Sequence, residues 1–348
     1  MFNKILKAWK LLNNDIAIDM GSSTTRITVK GKDGIQLQEP SIVAVKNDSG
    51  RKTVVAVGED AKKLIGRAPT DHELISPIKD GIIINDSIAE VMIKNFINKV
   101  SNTDVLRPNP RVFLAIPSSS TEVERRIFKE VLIDAGAREV LLIESTMAAA
   151  IGAGLPIESP KASMIVNIGA NITEIGVLAL KSHILSKTIK IGGHDLDEAL
   201  INYIRRSDGV KIGLETAEKV KKHMATALES EALEENIMSV RGKYIQSGGV
   251  AAKLNINRKD VLLATAETFE NIIAGIINVM EELPAEVVSD LYETGITLVG
   301  GSANISGLDK MIEQFTGLKT TVKTEPSLCV INGLNIVLDM YGNNKKAL

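Results

Sequence analysis

The feature that most constrains this chain is a strand–turn–strand pattern near its start that recurs in the middle of the sequence. Residues 16–29 read as an apolar strand, a turn of glycine, serine and threonine, and a second strand. Residues 164–177 have the same layout, with Gly169 at the place of Gly21. Two equal units so far apart predict a duplicated fold.

The first turn has the composition of an anion site. Small residues let backbone N–H groups close on a phosphate, and hydroxyl side chains add donors. Asp19, at the end of the first strand, would hold a water of a divalent cation through its oxygens. A third glycine turn, residues 300–302, also follows an apolar strand, and three such turns converging on one cleft would form a nucleotide clamp. Taken alone, the first turn is a weak signal, because an ordinary β-hairpin with a Gly-Ser turn is common.

Length, charge and cysteine content limit the class of protein. The 348 residues exceed the usual size of one domain, so two domains are expected. The net charge of −2 argues against general nucleic-acid binding, which needs a strong positive field. Cys329 is the single cysteine, which excludes an internal disulfide. No apolar run reaches the roughly 18 residues that a membrane span needs.

Residues 1–12 predict a short helix lying on a lipid surface. At helical spacing the apolar side chains fall on one face and the lysines on the other. The predicted membrane contacts on the apolar face are Phe2, Ile5, Leu6 and Trp9. Alternatively, this helix packs against the protein itself. Lysines interrupt the apolar stretch, which argues against a secretory signal.

Further motifs are distributed over the whole chain, at residues 39–44, 77–83, 121–126, 147–156 and 191–197. Together with the turn at residues 19–25, they resemble the bacterial MreB family, the actin homologues within the superfamily of actin, Hsp70 and sugar kinases. The resemblance covers nearly the full length. It implies an α/β, actin-like two-lobed fold, with duplicated RNase H-like domains around a nucleotide cleft and four subdomains.

The resemblance also implies how the chain is divided. The expected first lobe is residues 1–143 and 318–348, with the amphipathic helix 1–12 and a small subdomain at about 33–65. The expected second lobe is residues 144–317, with a small subdomain at about 180–250. No low-complexity linker separates the halves, which fits two lobes joined by more than one crossing.

The function implied by the resemblance is that of a cytoskeletal protein. Its cofactors would be ATP and Mg²⁺, and the chain would polymerise into protofilaments that pair antiparallel. It would be cytoplasmic and peripheral on the inner face of the cell membrane, and would serve cell shape or motility. Some members insert a short apolar loop beside the first helix, and Val105 and Leu106 occupy its place.

The same resemblance assigns candidate nucleotide contacts. They are Asp19, Gly21, Ser22, Ser23, Thr24, Gly169, Ala170, Asn171, Glu218, Lys221, Gly300, Gly301 and Ser302. Glu218 and Lys221 would contact the base and ribose, although a solvated helix face would explain this pair as well. The glycine turn at residues 300–302 would let the backbone approach the adenosine closely.

Two departures from the family pattern concern catalysis. Asn167 stands where the family has an aspartate that holds Mg²⁺ through water, and Ser145 replaces the glutamate that positions the attacking water. Thr173 and Glu174 are retained near that water. Phosphoryl transfer depends on positioning and charge stabilisation. Since loss of a general base typically lowers a rate about 10²–10⁴-fold, we expect ATP binding with weak hydrolysis.

Two other functions remain open at this point. One is another ATPase of the superfamily, such as a sugar kinase or an Hsp70-like chaperone, although we find no motif for the catalytic aspartate of a kinase. The other is a nucleotide-locked regulatory paralogue that copolymerises with active family members. The altered residues Ser145 and Asn167 fit this second alternative as well as they fit a slow ATPase.

Overall fold

The computed structural model describes residues 15–48, 51–100, 109–229, 236–246 and 249–343. The predicted membrane contacts Phe2, Ile5, Leu6, Trp9, Val105 and Leu106 lie outside the described residues. The chain forms two compact units: the first extends to Leu155 and resumes at Leu328, and the second is Pro156–Ser327. No helix in the described part of the chain is long and apolar enough to cross a bilayer.

The first unit combines short strands with helices that follow them in the chain. Its strands are β1 (Ile16–Met20), β2 (Thr24–Val29), β3 (Leu37–Pro40), β4 (Val43–Asp48), β5 (Arg51–Val57), β6 (His72–Ile75), β7 (Ile78–Lys79), β8 (Ile82–Ile83), β9 (Arg111–Ile116) and β10 (Glu139–Glu144). Its helices before the crossing are α1 (Glu59–Lys62), α2 (Asp86–Val100), α3 (Glu122–Asp134) and α4 (Ser145–Gly152).

The second unit follows, and the last helix returns to the first. The strands are β11 (Ser163–Ile168), β12 (Thr173–Ala179), β13 (Ser182–Ile189), β14 (Val210–Lys211), β15 (Ile237–Tyr244), β16 (Ala251–Asn257), β17 (Ile296–Val299) and β18 (Thr320–Val322). The helices are α5 (Gly193–Ser207), α6 (Leu214–Met224), α7 (Arg258–Glu282), α8 (Ala285–Thr294), α9 (Leu308–Thr316) and, in the first unit, α10 (Cys329–Asn343).

The main sheets of the two units have the same topology. The first sheet runs β3-β2-β1-β9-β10 and the second runs β13-β12-β11-β17-β18. In each sheet each neighbouring pair among the first three strands is antiparallel, and each neighbouring pair among the last three is parallel. The duplication predicted from the repeated pattern is therefore confirmed. Each unit also carries a small sheet, β5-β4-β6 in the first and β14-β15-β16 in the second.

Alternation along β1 decides which side chains can reach a ligand. Ile16 and Ile18 enter the core with α2 and α3 on one face of the sheet, so Ala17 and Asp19 lie on the other face. The second unit repeats this, since Val166 and Ile168 join a core with α7. Asn167 therefore lies on the face that corresponds to that of Asp19.

Helix α4 belongs to the first unit because it packs very closely against α10. A Cβ atom on Gly152 would lie 1.9 Å from the carbonyl oxygen of Cys329, and one on Gly333 would lie 1.8 Å from that of Ala148. Only hydrogen atoms fit between the two backbones at these positions. The boundaries expected from the sequence were 143/144 and 317/318. The chain instead crosses between the units at 155/156 and 327/328, later in both cases.

Candidate functional site

In the first unit the candidate residues lie at one edge of the sheet. Strands β1, β9 and β10 are parallel, with Asp19 beside Ala115 and Ala115 beside Ile143. Their carboxyl ends therefore meet at the same edge, where ligands bind in many α/β sheets. The turn at residues 21–23 follows β1, and Ser145 follows β10 two strand spacings away, roughly 10 Å across the sheet.

The first turn is closed by its own glycine. The Gly21 N–H donates to the carbonyl of Thr24 over 3.2 Å, and a Cβ at residue 21 would lie 2.9 Å from that oxygen. Glycine is therefore needed for the closure itself. Its N–H group is used inside the turn, so the amides of Ser22 and Ser23 become the better candidates to meet a phosphate.

Ser41 holds this turn from the side, a role that its sequence motif did not reveal. Its hydroxyl donates to the Gly21 carbonyl and lies 2.9 Å from the Thr25 hydroxyl. Ser76 in turn donates to the Ser41 carbonyl over 2.8 Å. Ser41 is buried. Ser41, in the Glu39-Pro40-Ser41 motif, thus orients the first turn. The sequence identified this motif but did not indicate what it does.

A row of three polar side chains crosses the sheet just below the turn. Asp19, Arg26 and Gln38 pair in register on β1, β2 and β3. The Arg26 guanidinium donates to the Asp19 carboxylate and to the Gln38 side-chain oxygen, each over 3.4 Å. Only 14% of the Arg26 side chain and 17% of that of Asp19 are exposed. Burial raises the pKa of the Asp19 carboxyl, while Arg26 acts to lower it.

Arg26 was missed at the sequence level, although a signal for it existed. In an antiparallel hairpin the residue opposite Asp19 follows from the turn that joins the two strands. The matched residue in the second hairpin is Glu174, a predicted site residue. The repeat therefore predicts that Arg26, at the same position of the first hairpin, also belongs to the site. Charged residues that pair on a partly buried face are constrained more strongly than their sequence spacing suggests.

Ser145 is the first residue of α4 and is buried, with 6% exposure. On one side Glu144 accepts a hydrogen bond from Arg125 over 3.1 Å, and on the other Thr146 lies 2.7 Å from the Ser118 hydroxyl. The position is therefore well ordered by its neighbours. A serine hydroxyl at this place is shorter than a glutamate and cannot take up a proton as a carboxylate does.

The turn of the second unit is closed in the same way as the first. The Gly169 N–H donates to the Ile172 carbonyl over 2.9 Å, and a Cβ at residue 169 would lie 3.0 Å from that oxygen. The side chains below it differ, however. Asn167 and Glu174 are paired across the strands, and the Asn167 amide donates to the Glu174 carboxylate over 3.2 Å. Thr173 donates to the Ile191 carbonyl over 2.8 Å.

The second turn is also fixed from outside by its own set of donors. The Gly169 carbonyl accepts from the Gly193 N–H over 3.0 Å and from the Ser302 hydroxyl over 3.2 Å. The Ala170 carbonyl accepts from the His194 N–H over 2.7 Å. The structure thus brings the predicted residues Gly169, Ala170 and Ser302 together.

The two predicted base and ribose contacts on α6 have different surroundings. Lys221 donates to the Gly193 carbonyl and to the buried Asp197 carboxylate, each over 2.7 Å. Glu218 instead pairs with Lys222 over 2.6 Å. Burial raises the pKa of Asp197, against the effect of Lys221, and burial also lowers the pKa of His194. Lys221 therefore fastens α6 to the first turns of α5.

The glycine turn at residues 300 and 301 packs against the end of β11 at Gly300 and is open at Gly301. Gly300 has φ 89°, and a Cβ there would lie 2.4 Å from the Ile168 carbonyl oxygen. Its N–H donates to the Pro326 carbonyl over 2.8 Å. Beside Gly301 there is open space, since a Cβ would meet nothing within 4 Å. The backbone of the second unit is therefore accessible at this turn, which fits a nucleotide.

The donor set does not fit a divalent cation held by the protein. The described residues contain no group of three or more His, Cys, Asp or Glu side chains arranged for a metal ion. Asp19 already faces a guanidinium, and the nitrogen of Asn167 faces Glu174. A cation at Asp19 would meet the positive charge of Arg26, while Asn167 offers a neutral oxygen at most.

Comparison with known proteins gave consistent results for sequence and structure. A family model described as MreB/Mbl protein matches residues 13–346. The chain is 40% identical over 332 residues to the cell shape-determining protein MreB of Escherichia coli K12, covering 95% of this chain and 94% of the relative. It is 37% identical to the cell shape-determining protein Mbl of Bacillus subtilis 168, covering 93% and 96%.

Solved structures show the same fold. The crystal structure of MreB5 of Spiroplasma citri bound to ADP has a TM-score of 0.88 and 29% identity, over 96% of this chain and 98% of that one. A second crystal structure of the same protein is bound to AMPPNP. The MamK double helical filament has a TM-score of 0.76 at 17% identity, which is a likeness of fold alone.

Proposed function

This chain belongs to the MreB/Mbl family, and on that premise we propose that it is an ATP-binding protein that polymerises into membrane-associated filaments controlling cell shape or motility, and that it hydrolyses ATP slowly. Its fold is actin-like, as the match to MreB5 shows. ADP and AMPPNP are bound in the crystal structures of that relative.

The observation that carries the nucleotide proposal is the equivalent closure of the two turns. Gly21 and Gly169 each donate to the carbonyl three residues on, at the end of β1 and of β11. Turns of this kind present successive backbone N–H groups that suit phosphate oxygens, and in the first turn the residues that follow Gly21 are small. The proposed contacts are Asp19 and residues 21–24 in the first unit, and residues 169–171, Glu218, Lys221 and residues 300–302 in the second.

Slow hydrolysis is supported by the residues at the carboxyl ends of β10 and β11. We place Ser145 where a carboxylate would orient the attacking water, and a hydroxyl there does so poorly. Thr173 and Glu174 are the remaining candidates for this role. Asn167 donates to the Glu174 carboxylate, which weakens that group as a base. Mg²⁺ would enter as the complex of the nucleotide's own phosphates, which keeps several of its waters.

The test compares the unmodified chain with Ser145→Glu and Ser145→Gln. Glutamine has the size of glutamate without its charge, so it controls for crowding at this buried position. We expect phosphate release to rise about 10²-fold in Ser145→Glu and to stay unchanged in Ser145→Gln. ATP affinity, measured by calorimetry under the same conditions, should change less than the rate does. Circular dichroism of all three proteins confirms that each is folded.

Other outcomes would contradict parts of the proposal. Fast phosphate release by the unmodified chain would mean that another group, Glu174 first, orients the water. Release that rises equally in Ser145→Gln would assign the effect to shape and not to charge. Absence of ATP binding in the unmodified chain would overturn the nucleotide proposal itself.

The proposal includes self-assembly and attachment to a membrane. Names of the relatives support a role in cell shape, and the sequence of residues 1–12 supports attachment to the inner face of the cell membrane through Phe2, Ile5, Leu6 and Trp9, with Val105 and Leu106 beside them. Protofilaments would pair antiparallel. Sedimentation of the full chain with and without ATP, and with anionic vesicles for the unmodified chain and Trp9→Glu, measures both properties.

A second candidate is a regulatory paralogue that copolymerises with active members of the family. Ser145 and Asn167 favour it, since both remove a carboxylate that the family pattern has. Co-sedimentation with an active paralogue distinguishes the two: a regulatory subunit would enter mixed filaments while forming none alone, whereas a filament protein in its own right would assemble with ATP by itself.

A further inference from the structure

Arg26 is a charged neighbour of the first turn to which neither the sequence motifs nor the proposed function assigns a role. It follows Thr25 on β2, and Thr25 forms with Met20 the residue pair next to the turn. Its guanidinium contacts Asp19 on one side and Gln38 on the other, both at 3.4 Å. The two neighbours hold the guanidinium in place beside the turn that we propose for phosphate.

The contact with Asp19 uses the carboxylate that would otherwise attract a divalent cation. An aspartate paired with an arginine is a poor ligand, because an incoming cation must displace or approach the guanidinium. Exposure of only 14% for Arg26 and 17% for Asp19 means that little water screens this repulsion. The positive charge at this place is therefore supplied by the chain.

Arginine also has the chemistry to serve the phosphates. A guanidinium carries five N–H donors in a planar fork that matches phosphate oxygens. The bonds to Asp19 and Gln38 use two of the five. The guanidinium charge is part of the chain, so its contribution would not depend on the metal content of the solution.

The second unit independently lacks a strong metal ligand at the matching position. Asn167 is a neutral amide, and its nitrogen is bonded to Glu174. Its oxygen lies against Gly300, where a Cβ would come within 2.6 Å of it. A metal-dependent protein would be expected to keep at least one carboxylate open at one of these two positions.

From these contacts we propose that Arg26 takes the place of a divalent cation beside Asp19, so that this chain binds the nucleotide triphosphate with little dependence on Mg²⁺. The proposal rests on the proposed ATP binding and deepens it. It makes Arg26 a binding residue of the first turn, with Asp19 and Gln38 as the groups that position it.

The experiment is calorimetric binding of ATP to the full chain, in Mg²⁺ and in excess EDTA. For the unmodified chain we expect the two dissociation constants to agree within about threefold. Arg26→Met keeps most of the side-chain length but frees Asp19, so its binding should weaken at least about tenfold in EDTA and recover partly in Mg²⁺. Arg26→Lys keeps the charge but loses the planar fork, so its binding in EDTA should lie between that of the unmodified chain and that of Arg26→Met.

A matched control removes another paired arginine of the same unit. Arg126 pairs with Glu130 on the exposed face of α3 over 3.2 Å. Arg126→Met should leave both dissociation constants and their ratio unchanged. Thermal unfolding of each variant, followed by circular dichroism, shows whether the protein is folded. Should Arg26→Met fail to fold, the ratio measured on the unmodified chain and on Arg26→Lys still decides the proposal.

The possible outcomes separate this proposal from the one on which it rests. ATP that binds in Mg²⁺ but more than about tenfold more weakly in EDTA would overturn the role of Arg26 and leave ATP binding intact. Equal loss of binding in Arg26→Met and Arg126→Met would also overturn it. No binding by the unmodified chain under either condition would refute both proposals together.

Discussion

The two hairpins of this protein share a backbone and differ in chemistry. In both, a glycine N–H donates to the carbonyl three residues on, and a Cβ at either glycine would lie 2.9 or 3.0 Å from that oxygen. Below the first turn a carboxylate meets a guanidinium, and below the second an amide meets a carboxylate. The two hairpins therefore share the closed turn, while the charged side chains beneath the turns differ.

The strands beside the hairpins differ as well. Next to the first, β9 continues to the fully buried Ile116. Next to the second, β17 ends at Val299, and the chain turns at Gly300 with φ 89°. A bulky side chain is thus packed in the first unit at the level where the second admits none. The second unit lacks that packed side chain, and its backbone is accessible at the next residue, Gly301.

The largest effect should come from filling that space in the second unit. Gly300→Ala would force an L-residue into a left-handed conformation and place its Cβ 2.4 Å from the Ile168 carbonyl oxygen. We expect a loss of about 3 kcal/mol in the free energy of unfolding, measured by urea denaturation. Gly301→Ala is the control, since open space there predicts a change below about 0.5 kcal/mol. Equal effects of the two would refute the difference between these neighbouring glycines.

The second prediction concerns an added negative charge in the second hairpin. Asn167→Asp would place two carboxylates opposite each other, where the amide now donates over 3.2 Å. Their repulsion raises one carboxyl pKa in the folded state. We expect a loss of about 1–3 kcal/mol at pH 7, which shrinks as the pH falls toward 4, because the folded protein then binds the extra proton that relieves the repulsion.

The control for this prediction is Asn171→Asp, the same change within the turn of the same hairpin. It should show no comparable pH dependence of stability. Thermal unfolding between pH 4 and 8 (roughly the range over which the raised carboxyl titrates) provides the comparison. A deficit in Asn167→Asp that stays constant over this range would argue that lost hydrogen bonding, and not like charge, is responsible.

The smallest predicted effect compares the hydroxyls that hold the two turns. Ser41 donates to the Gly21 carbonyl and contacts the Thr25 hydroxyl, whereas Ser302 donates to the Gly169 carbonyl, which also accepts from Gly193. Ser41→Ala should cost about 1–2 kcal/mol and Ser302→Ala about 0.5–1 kcal/mol. Removal of the exposed Ser182 hydroxyl is the control. A larger stability loss in Ser302→Ala than in Ser41→Ala would mean that the Ser302 hydroxyl contributes more to holding its turn.

Much of the fold could be predicted because it depends on local periodicity. The repeated pattern, for example, predicted the duplicated sheets. The boundary between the units could not be read this way. Helix α4 is assigned to the first unit by its contact with α10 through Gly152 and Gly333, which are far apart in the sequence.

The candidate site was predicted less completely, for a related reason. Residue types showed that the turns suit phosphate, and Ser145 and Asn167 were recognised as departures from the family pattern. The partners of each group were not visible. Lys221 is bonded to Gly193 and Asp197, and the Gly21 amide is used within its own turn. Such pairings depend on atoms brought together by packing.

The sequence by itself determined the two hairpins, their glycine turns and the family to which the chain belongs, because these depend on short-range spacing and on the identity of single residues. Only the tertiary structure decided that Arg26 faces Asp19, that Asn167 faces Glu174, and that Gly300 is the one of two adjacent glycines that admits no side chain. Strand register sets which charges meet, and backbone contacts across strands set which positions have room.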